Sequence, residues 1–191
     1  MTSVINPSSA GPLPGGAGFI NPEQIVESFG LKEGINVADF GSGSGHFTLL
    51  IAKKVGPNGT VTALDILEST LEVIRSKAAA NGLANLQTVR ADLEVFGSSG
   101  LPDNSQNLVL IANILFQSNK KAEIIKEAQR IIVNGGSLVI IEWKKETIGL
   151  GPAMESRSTP EELKSIVQGL GLNFTQDIEA GAFHFGLMFK K

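Results

Sequence analysis

The sequence predicts an α/β protein: a doubly wound, mostly parallel sheet with one antiparallel strand near its C-terminal edge. Three observations predict it. Short apolar runs alternate with stretches of helical periodicity along most of the 191 residues. The runs are continuously apolar, as in strands buried on both faces, and helical crossovers between them imply parallel pairing. The last two strand candidates are separated only by Gly181, a turn so short that it allows only an antiparallel hairpin.

The elements follow in order. Met1 to Gly18 holds three prolines, four glycines and three serines. Such a segment does not repay its ordering entropy and is expected to be a flexible tail, 1–18, ahead of one domain, 19–191. It has neither a basic start nor a continuous apolar core, so it is not a signal peptide, and the expected location is cytoplasmic. Asn21-Pro22-Glu23 reads as a helix start. Ile35 to Phe40 is the first strand, running into glycines, and His46 to Val55 the helix after it. Pro57-Asn58-Gly59 turns the chain into a second strand, Val61 to Ile66. Leu71, Ile74 and Ala78 recur at helical spacing until Asn81-Gly82. Leu86 to Arg90 is the third strand and Leu108 to Ala112 the fourth. Ile124, Ile125, Ala128, Ile131 and Ile132 share a helical face that Asn134-Gly135-Gly136 should end, before a fifth strand, Leu138 to Trp143. Thr159-Pro160-Glu161-Glu162 combines a cap, a proline at the first helical position and a glutamate at the third. Phe174 to Ala180 and the alternating Phe183, Phe185, Leu187 and Phe189 form the hairpin, with His184 pointing outward between the phenylalanines.

Composition narrows the function. The chain has no cysteine, which excludes disulfides, thiolate nucleophiles and sulfur-ligated metals, and its two histidines do not suggest a metal centre. A formal net charge of −3 argues against a general nucleic-acid binder. The uncharged apolar stretch Leu108 to Phe116 is far short of the roughly 20 residues of a membrane-spanning helix.

The chemistry begins at Asp39-Phe40-Gly41-Ser42-Gly43-Ser44-Gly45. A strand entering a glycine-rich turn and then a helix lets a ligand approach the backbone closely at the carboxyl ends of the strands. The spacing is G-x-G-x-G, and His46 stands where a dinucleotide loop needs its third glycine. Asp39, two residues before the first glycine, suits a cationic amine better than a pyrophosphate. Asp65 ends the second strand, placed to accept from both hydroxyls of a ribose. Asp92 follows the third strand, where a carboxylate suits an adenine amino group.

This ordered set, with Asn113 after the fourth strand, resembles the class I S-adenosylmethionine-dependent methyltransferases over almost the whole chain. The resemblance implies a seven-stranded sheet of order 3-2-1-4-5-7-6 with strand seven antiparallel, and S-adenosyl-L-methionine as cofactor. It implies that Asp39 helps hold the methionyl amino group and that Gly41, Ser42 and Gly43 line the methionyl and sugar moieties. Asp65 would bind the ribose, Ile66 would pack on adenine, Asp92 and Leu93 would meet the adenine edge, and Asn113 would sit near the transferable methyl. Within the family, Asn113-Ile114-Leu115-Phe116 lacks the Asn-Pro-Pro-aromatic motif of amino-methylating nucleic-acid enzymes, and the missing cysteine excludes cytosine-C5 and thiol-dependent arsenic chemistry. What remains resembles the group near the ubiquinone/menaquinone-biosynthesis methyltransferases, reduced in size, acting on a small molecule. The acceptor is then expected beyond strands four and five, at Phe116, Trp143 and Lys144, with Phe19 closing from the N-terminal side. Pro12 to Ile20 and Ile148 to Thr159 are the segments available to cover the pocket. Two other readings stay open: a cofactor-binding or regulatory subunit without its own catalysis, and a nicotinamide-nucleotide oxidoreductase, which the loop spacing and the absence of tyrosine disfavour. No catalytic base stands out. His46 reads as a first-turn side chain, and Lys144-Lys145-Glu146 as a solvated charged turn unless it borders the substrate.

Overall fold

Asn21 caps the first described helix, α1 (Pro22–Glu27): its side chain accepts from the Gln24 N–H at 3.3 Å, and Pro22 occupies the first turn. The computed structural model describes residues 20–146 and 149–191. The expected tail, Met1 to Gly18, and the candidate Phe19 lie outside the described residues. Strand β1 (Asn36–Phe40), α2 (His46–Val55), β2 (Thr60–Asp65), α3 (Glu68–Ala80), β3 (Leu86–Arg90) and β4 (Gln106–Ala112) follow; the strands and α2 lie within two residues of their expected bounds, and α3 starts three residues before Leu71. A short 3-10 turn, Leu115–Gln117, precedes α4 (Lys121–Ile131). The chain ends with β5 (Ile132–Trp143), α5 (Pro160–Gly169), β6 (Asn173–Glu179) and β7 (His184–Lys190). The α5 capping box is present, with the Thr159 hydroxyl accepting from the Glu162 N–H at 3.2 Å and the Glu162 carboxylate accepting from the Thr159 N–H at 2.8 Å.

The seven strands form one sheet in the order β3-β2-β1-β4-β5-β7-β6, with β7 antiparallel to both its neighbours. One face carries α1 and α2, whose Ile25, Val26, Ile51 and Val55 pack on Val37, Val61, Leu110 and Ile141. The other carries α4 and α5, whose Ile125, Ala128, Leu163 and Val167 pack on Phe40, Ile111, Ile140 and Phe189. Covering both faces is what the continuous apolar runs required.

Two expectations change. The Asn134-Gly135-Gly136 stop lies inside β5: pairing with β4 passes from Gln106–Ile132 to Leu108–Ser137, so the intervening residues loop out of register. The C-terminal residue holds that irregularity, since the Gly135 N–H donates to the Lys191 carbonyl at 2.9 Å and the Lys191 N–H to the Gly136 carbonyl at 3.1 Å. His184 is not outward. β7 is an interior strand, so His184, Gly186 and Met188 are buried along with the phenylalanine side, and His184 is only 2% exposed. Its ring lies 4.0 Å from that of Trp143, and neither ring nitrogen has a hydrogen-bond partner among the described residues. Burial, with Lys144 and Arg157 nearby, pushes its pKa down to about 4, so it is neutral at ordinary pH.

Candidate cofactor site

The ends of β1 to β4 open into a cavity of about 680 Å³, within the range of small-molecule sites. Its floor is the glycine loop. Gly41 has φ +69°, and a Cβ there would lie 2.3 Å from Cγ2 of Ile114, so both conformation and space demand glycine. The Gly41 and Ser42 N–H groups both donate to the Leu64 carbonyl, at 2.8 and 3.0 Å, which folds the loop over the end of β2. Gly45, at φ +81°, then turns the chain into α2, and Lys77 reaches from α3 to donate to the Ser44 carbonyl at 2.8 Å.

Asp65 binds this loop from the side. Its Oδ2 accepts from the Gly43 N–H and its Oδ1 from the Leu67 N–H, both at 2.9 Å. An ionised carboxylate has about four acceptor sites, so two remain for a ligand in the cavity that Asp65 lines. Asp39 also lines the cavity but is only 2% exposed. Burial pushes its pKa up to about 6, the Thr48 hydroxyl donating to Oδ2 at 2.5 Å opposes that rise, and the charge of Asp65 adds to it. Such a carboxyl is improved by a cation and poorly suited to a phosphate.

Ser42, Gly43, Ile66, Asp92, Leu93 and Asn113 join Asp39, Gly41 and Asp65 on the cavity wall, so the structure brings all the expected cofactor candidates together. Ile66 is 54% exposed, an apolar side chain left at the surface beside the cavity. Asp92 is exposed and closes a short turn by accepting from the Glu94 N–H at 3.1 Å. Asn113 has φ +57°, one of two non-glycine residues with positive φ among those described, and its Oδ1 is buried without a partner.

The expected acceptor residues fall elsewhere. Phe116, Trp143 and Lys144 are not on the cavity wall. Trp143 is on β5 against His184, with the Arg157 guanidinium 5.7 Å from its ring centroid and Gly151 so close that a Cβ there would lie 2.6 Å from the ring. Lys144 donates to the Gly181 carbonyl at 3.1 Å. Trp143 is therefore used by packing with β7 and the segment after β5, and Lys144 by the turn between β6 and β7. Phe116 sits half-buried in the 3-10 turn, beside wall residues but not one of them. Lining residues from outside β2, β3 and the turns after them include Ile20, Pro22, His46, Phe47, Ile114 and Gln117. His46 is exposed, its Nε2 3.5 Å from the Ser44 hydroxyl.

Three features escaped the sequence. Thr48, fully buried on α2, was visible only as a polar residue on an apolar helical face. Glu94 accepts from the Ser118 hydroxyl at 2.7 Å and pairs with Lys120 at 3.4 Å, tying the loop after β3 to the loop after β4. Glu142, 2% exposed on β5, accepts from the Leu115 N–H at 2.7 Å; a lone acid in an apolar strand was its only trace. Among the described residues no group of acids and histidines is arranged to hold a metal, and no helix is long and apolar enough to cross a membrane.

Comparison with known proteins agrees with this geometry. The ubiquinone/menaquinone biosynthesis C-methyltransferase UbiE of Hahella chejuensis is 33% identical over 123 residues, covering 64% of this chain and 48% of that one. The protein of the same name from Pseudomonas entomophila is 34% identical over 136 residues, covering 71% and 52%. The chain thus spans about half the length of these relatives. The crystal structure of a SAM dependent methyltransferase from Aquifex aeolicus superposes with a TM-score of 0.81 at 29% identity, over 90% of this chain and 89% of that one. The sequence pattern of the methyltransferase domain matches residues 31–179, most of the chain and every strand that borders the cavity, and to that family the protein belongs.

Proposed function

We propose that this chain transfers a methyl group from S-adenosylmethionine to a small-molecule nucleophile. One observation carries the reading: a glycine loop places Asp39 and Asp65 on one cavity wall, the first buried and short of a cation, the second with acceptor sites to spare. A cationic amino group suits Asp39, and two hydroxyls suit Asp65. The apolar Ile66, Leu93 and Ile124 provide flanks for a flat heterocycle, with the Asp92 carboxylate to accept from an exocyclic amine. The unpartnered Asn113 Oδ1 marks a further place for a donor.

When bound, S-adenosylmethionine would supply an electrophilic methyl on a sulfonium: the acceptor's electron pair would bond to that carbon in line as the C–S bond breaks, its electrons leaving on the neutral sulfur of S-adenosylhomocysteine. The residues of this chain contribute position and dryness. Asp39 would hold the amino end of the cofactor and Asp65 the ribose hydroxyls at its middle. Ile20, Pro22, Phe47 and Ile114 keep water from the acceptor end, where His46 and Gln117 offer the polar contacts. That wall suits a small, partly apolar acceptor, and the relatives named C-methyltransferases make a carbon nucleophile the first to try.

Calorimetry tests the reading. S-adenosylmethionine and S-adenosylhomocysteine should bind with micromolar affinity and NAD should not. Asp65→Asn keeps the size and one acceptor while removing the charge, so affinity should fall by on the order of 10–100-fold, the worth of a charge-assisted contact. Equal binding by variant and parent would remove Asp65 from the site.

A further inference from the structure

We propose that Glu142 is a positioning residue for the cofactor cavity, its carboxylate anchoring the turn Asn113–Leu115 against the glycine loop. The inference rests on the cofactor reading above but concerns a residue outside the cavity wall. Glu142 is the second-last residue of β5 and lies, like its register partner Phe185, on the sheet face covered by α4 and α5. Glu142 is 2% exposed at the end of the apolar run 138–141, and its side chain accepts from the Leu115 N–H at 2.7 Å. The backbones of Ile114 and Trp143 also favour the ionised carboxyl, as does the charge of Lys121 on α4, while burial pushes it up to about 7.

The turn it holds is unusual in three ways that converge on the cavity. Asn113 is in the left-handed region at φ +57°, a conformation that most non-glycine residues avoid and that surrounding contacts must impose. Its N–H donates to the Ile141 carbonyl at 2.9 Å, which fixes the start of the turn to the residue preceding Glu142. Ile114 lies directly on Gly41, where no Cβ would fit. Two consecutive residues of β5, Ile141 through its carbonyl and Glu142 through its side chain, therefore grip the turn at both ends. The grip determines where the Asn113 amide and the Ile114 side chain stand on the wall. An apolar residue at 142 would leave the Leu115 N–H without its acceptor and let the turn relax away from the glycine loop. A buried carboxylate is a costly way to fill a core position. Here it meets backbone N–H groups that the end of a strand cannot otherwise satisfy.

The test compares Glu142→Gln, whose amide oxygen still accepts from Leu115, with Glu142→Leu, which offers no acceptor. Melting temperature, S-adenosylhomocysteine affinity and amide hydrogen exchange are read on both. In Glu142→Leu the Leu115 amide should lose protection while the β4 and β5 amides keep theirs, and affinity should fall about tenfold, the effect of one lost hydrogen bond. Glu142→Gln should restore both to within a few-fold of the parent. A folded Leu variant with a protected Leu115 amide and parental affinity overturns the proposal, and so does a Gln variant as weak as the Leu variant. Should Glu142→Leu not fold, Ile114→Ala loosens the same turn at Gly41, and unchanged affinity there overturns it equally. If the parent itself does not bind S-adenosylhomocysteine, the cofactor reading fails, and the exchange of the Leu115 amide still decides the role of Glu142.

Discussion

Buried acids occur in two regions of this molecule, and the protein treats them in opposite ways. At the strand ends, Asp39 and Glu142 form no ion pair among the described residues, and burial pushes them up to about 6 and about 7. On α4, Glu127 is fully buried, and burial alone would raise it too. Arg130 at 2.7 Å, the Ser99 hydroxyl and the Gly97 N–H outweigh that effect and hold it down at about 2. Arg130 also reaches Asp103 and the Leu101 carbonyl, so the pair pins the long loop between β3 and β4. Glu127 is a fully satisfied structural acid. Asp39 and Glu142 carry a standing cost, which a protein tolerates where a ligand or a positioned turn gives something back.

The largest test of that contrast is Arg130→Met. It leaves Glu127 buried without its cation and should cost about 3–5 kcal/mol. For a chain of this size that is a fall in melting temperature of roughly 6–20 °C. S-adenosylhomocysteine affinity of the folded variant should stay within a few-fold. A change of a degree or two would show that the pair does not hold the fold.

Asp39→Asn should act in the other direction. The native pKa of about 6 lies above the ordinary 3.8, so between those values the folded state binds the proton that the unfolded state has released. Stability of the ligand-free protein therefore falls as pH rises from about 4 through 6 and stays lowered above, and Glu142 extends the fall to about 7. Removing the charge at position 39 should raise stability at pH 7.5 by about 2–3 kcal/mol. The same variant should bind S-adenosylmethionine more weakly. A variant less stable than the parent at pH 7.5 would break the comparison.

Thr48→Val is the smallest and most selective probe. It removes the hydroxyl that opposes the rise at Asp39, at a cost of about 1 kcal/mol at pH 7.5. The midpoint of the pH dependence of S-adenosylmethionine binding should move upward from about 6. An unshifted profile would mean that Asp39 does not titrate with the ligand.

Much of this site was legible without coordinates. Gly41 and Asn113 directly follow β1 and β4, Asp65 ends β2 and Asp92 lies two residues beyond β3, and a parallel sheet brings the carboxyl ends of neighbouring strands to one edge, so local pattern already places them together. Thr48 and Glu142 were not legible in the same way. Each acts through a partner at a distance, Asp39 from a strand end and Leu115 from the turn after β4, and a hydrogen bond across elements leaves no periodic trace. Trp143 and Lys144 show the converse. Their place at the end of β5 was right, but packing with His184, Gly151, Arg157 and Gly181 had already used their surfaces.

By itself the sequence determined the element order, the parallel winding, the C-terminal hairpin and the identity of the glycine loop with its three acids. Those depend on periodicity, turn residues and residue order, which are local quantities. The resemblance already implied that β7 lies between β5 and β6; only the tertiary structure decided that both of its faces are covered, which buries His184 and removes the outward face that its alternation predicted. It alone decided that Asp65, expected to accept from a ribose, also accepts from the Gly43 N–H of the loop. It also decided which buried acids have a cation beside them and which do not. Charge state, burial on both faces and the walls of a cavity are set by what neighbouring elements bring into contact, and those neighbours are remote in the chain.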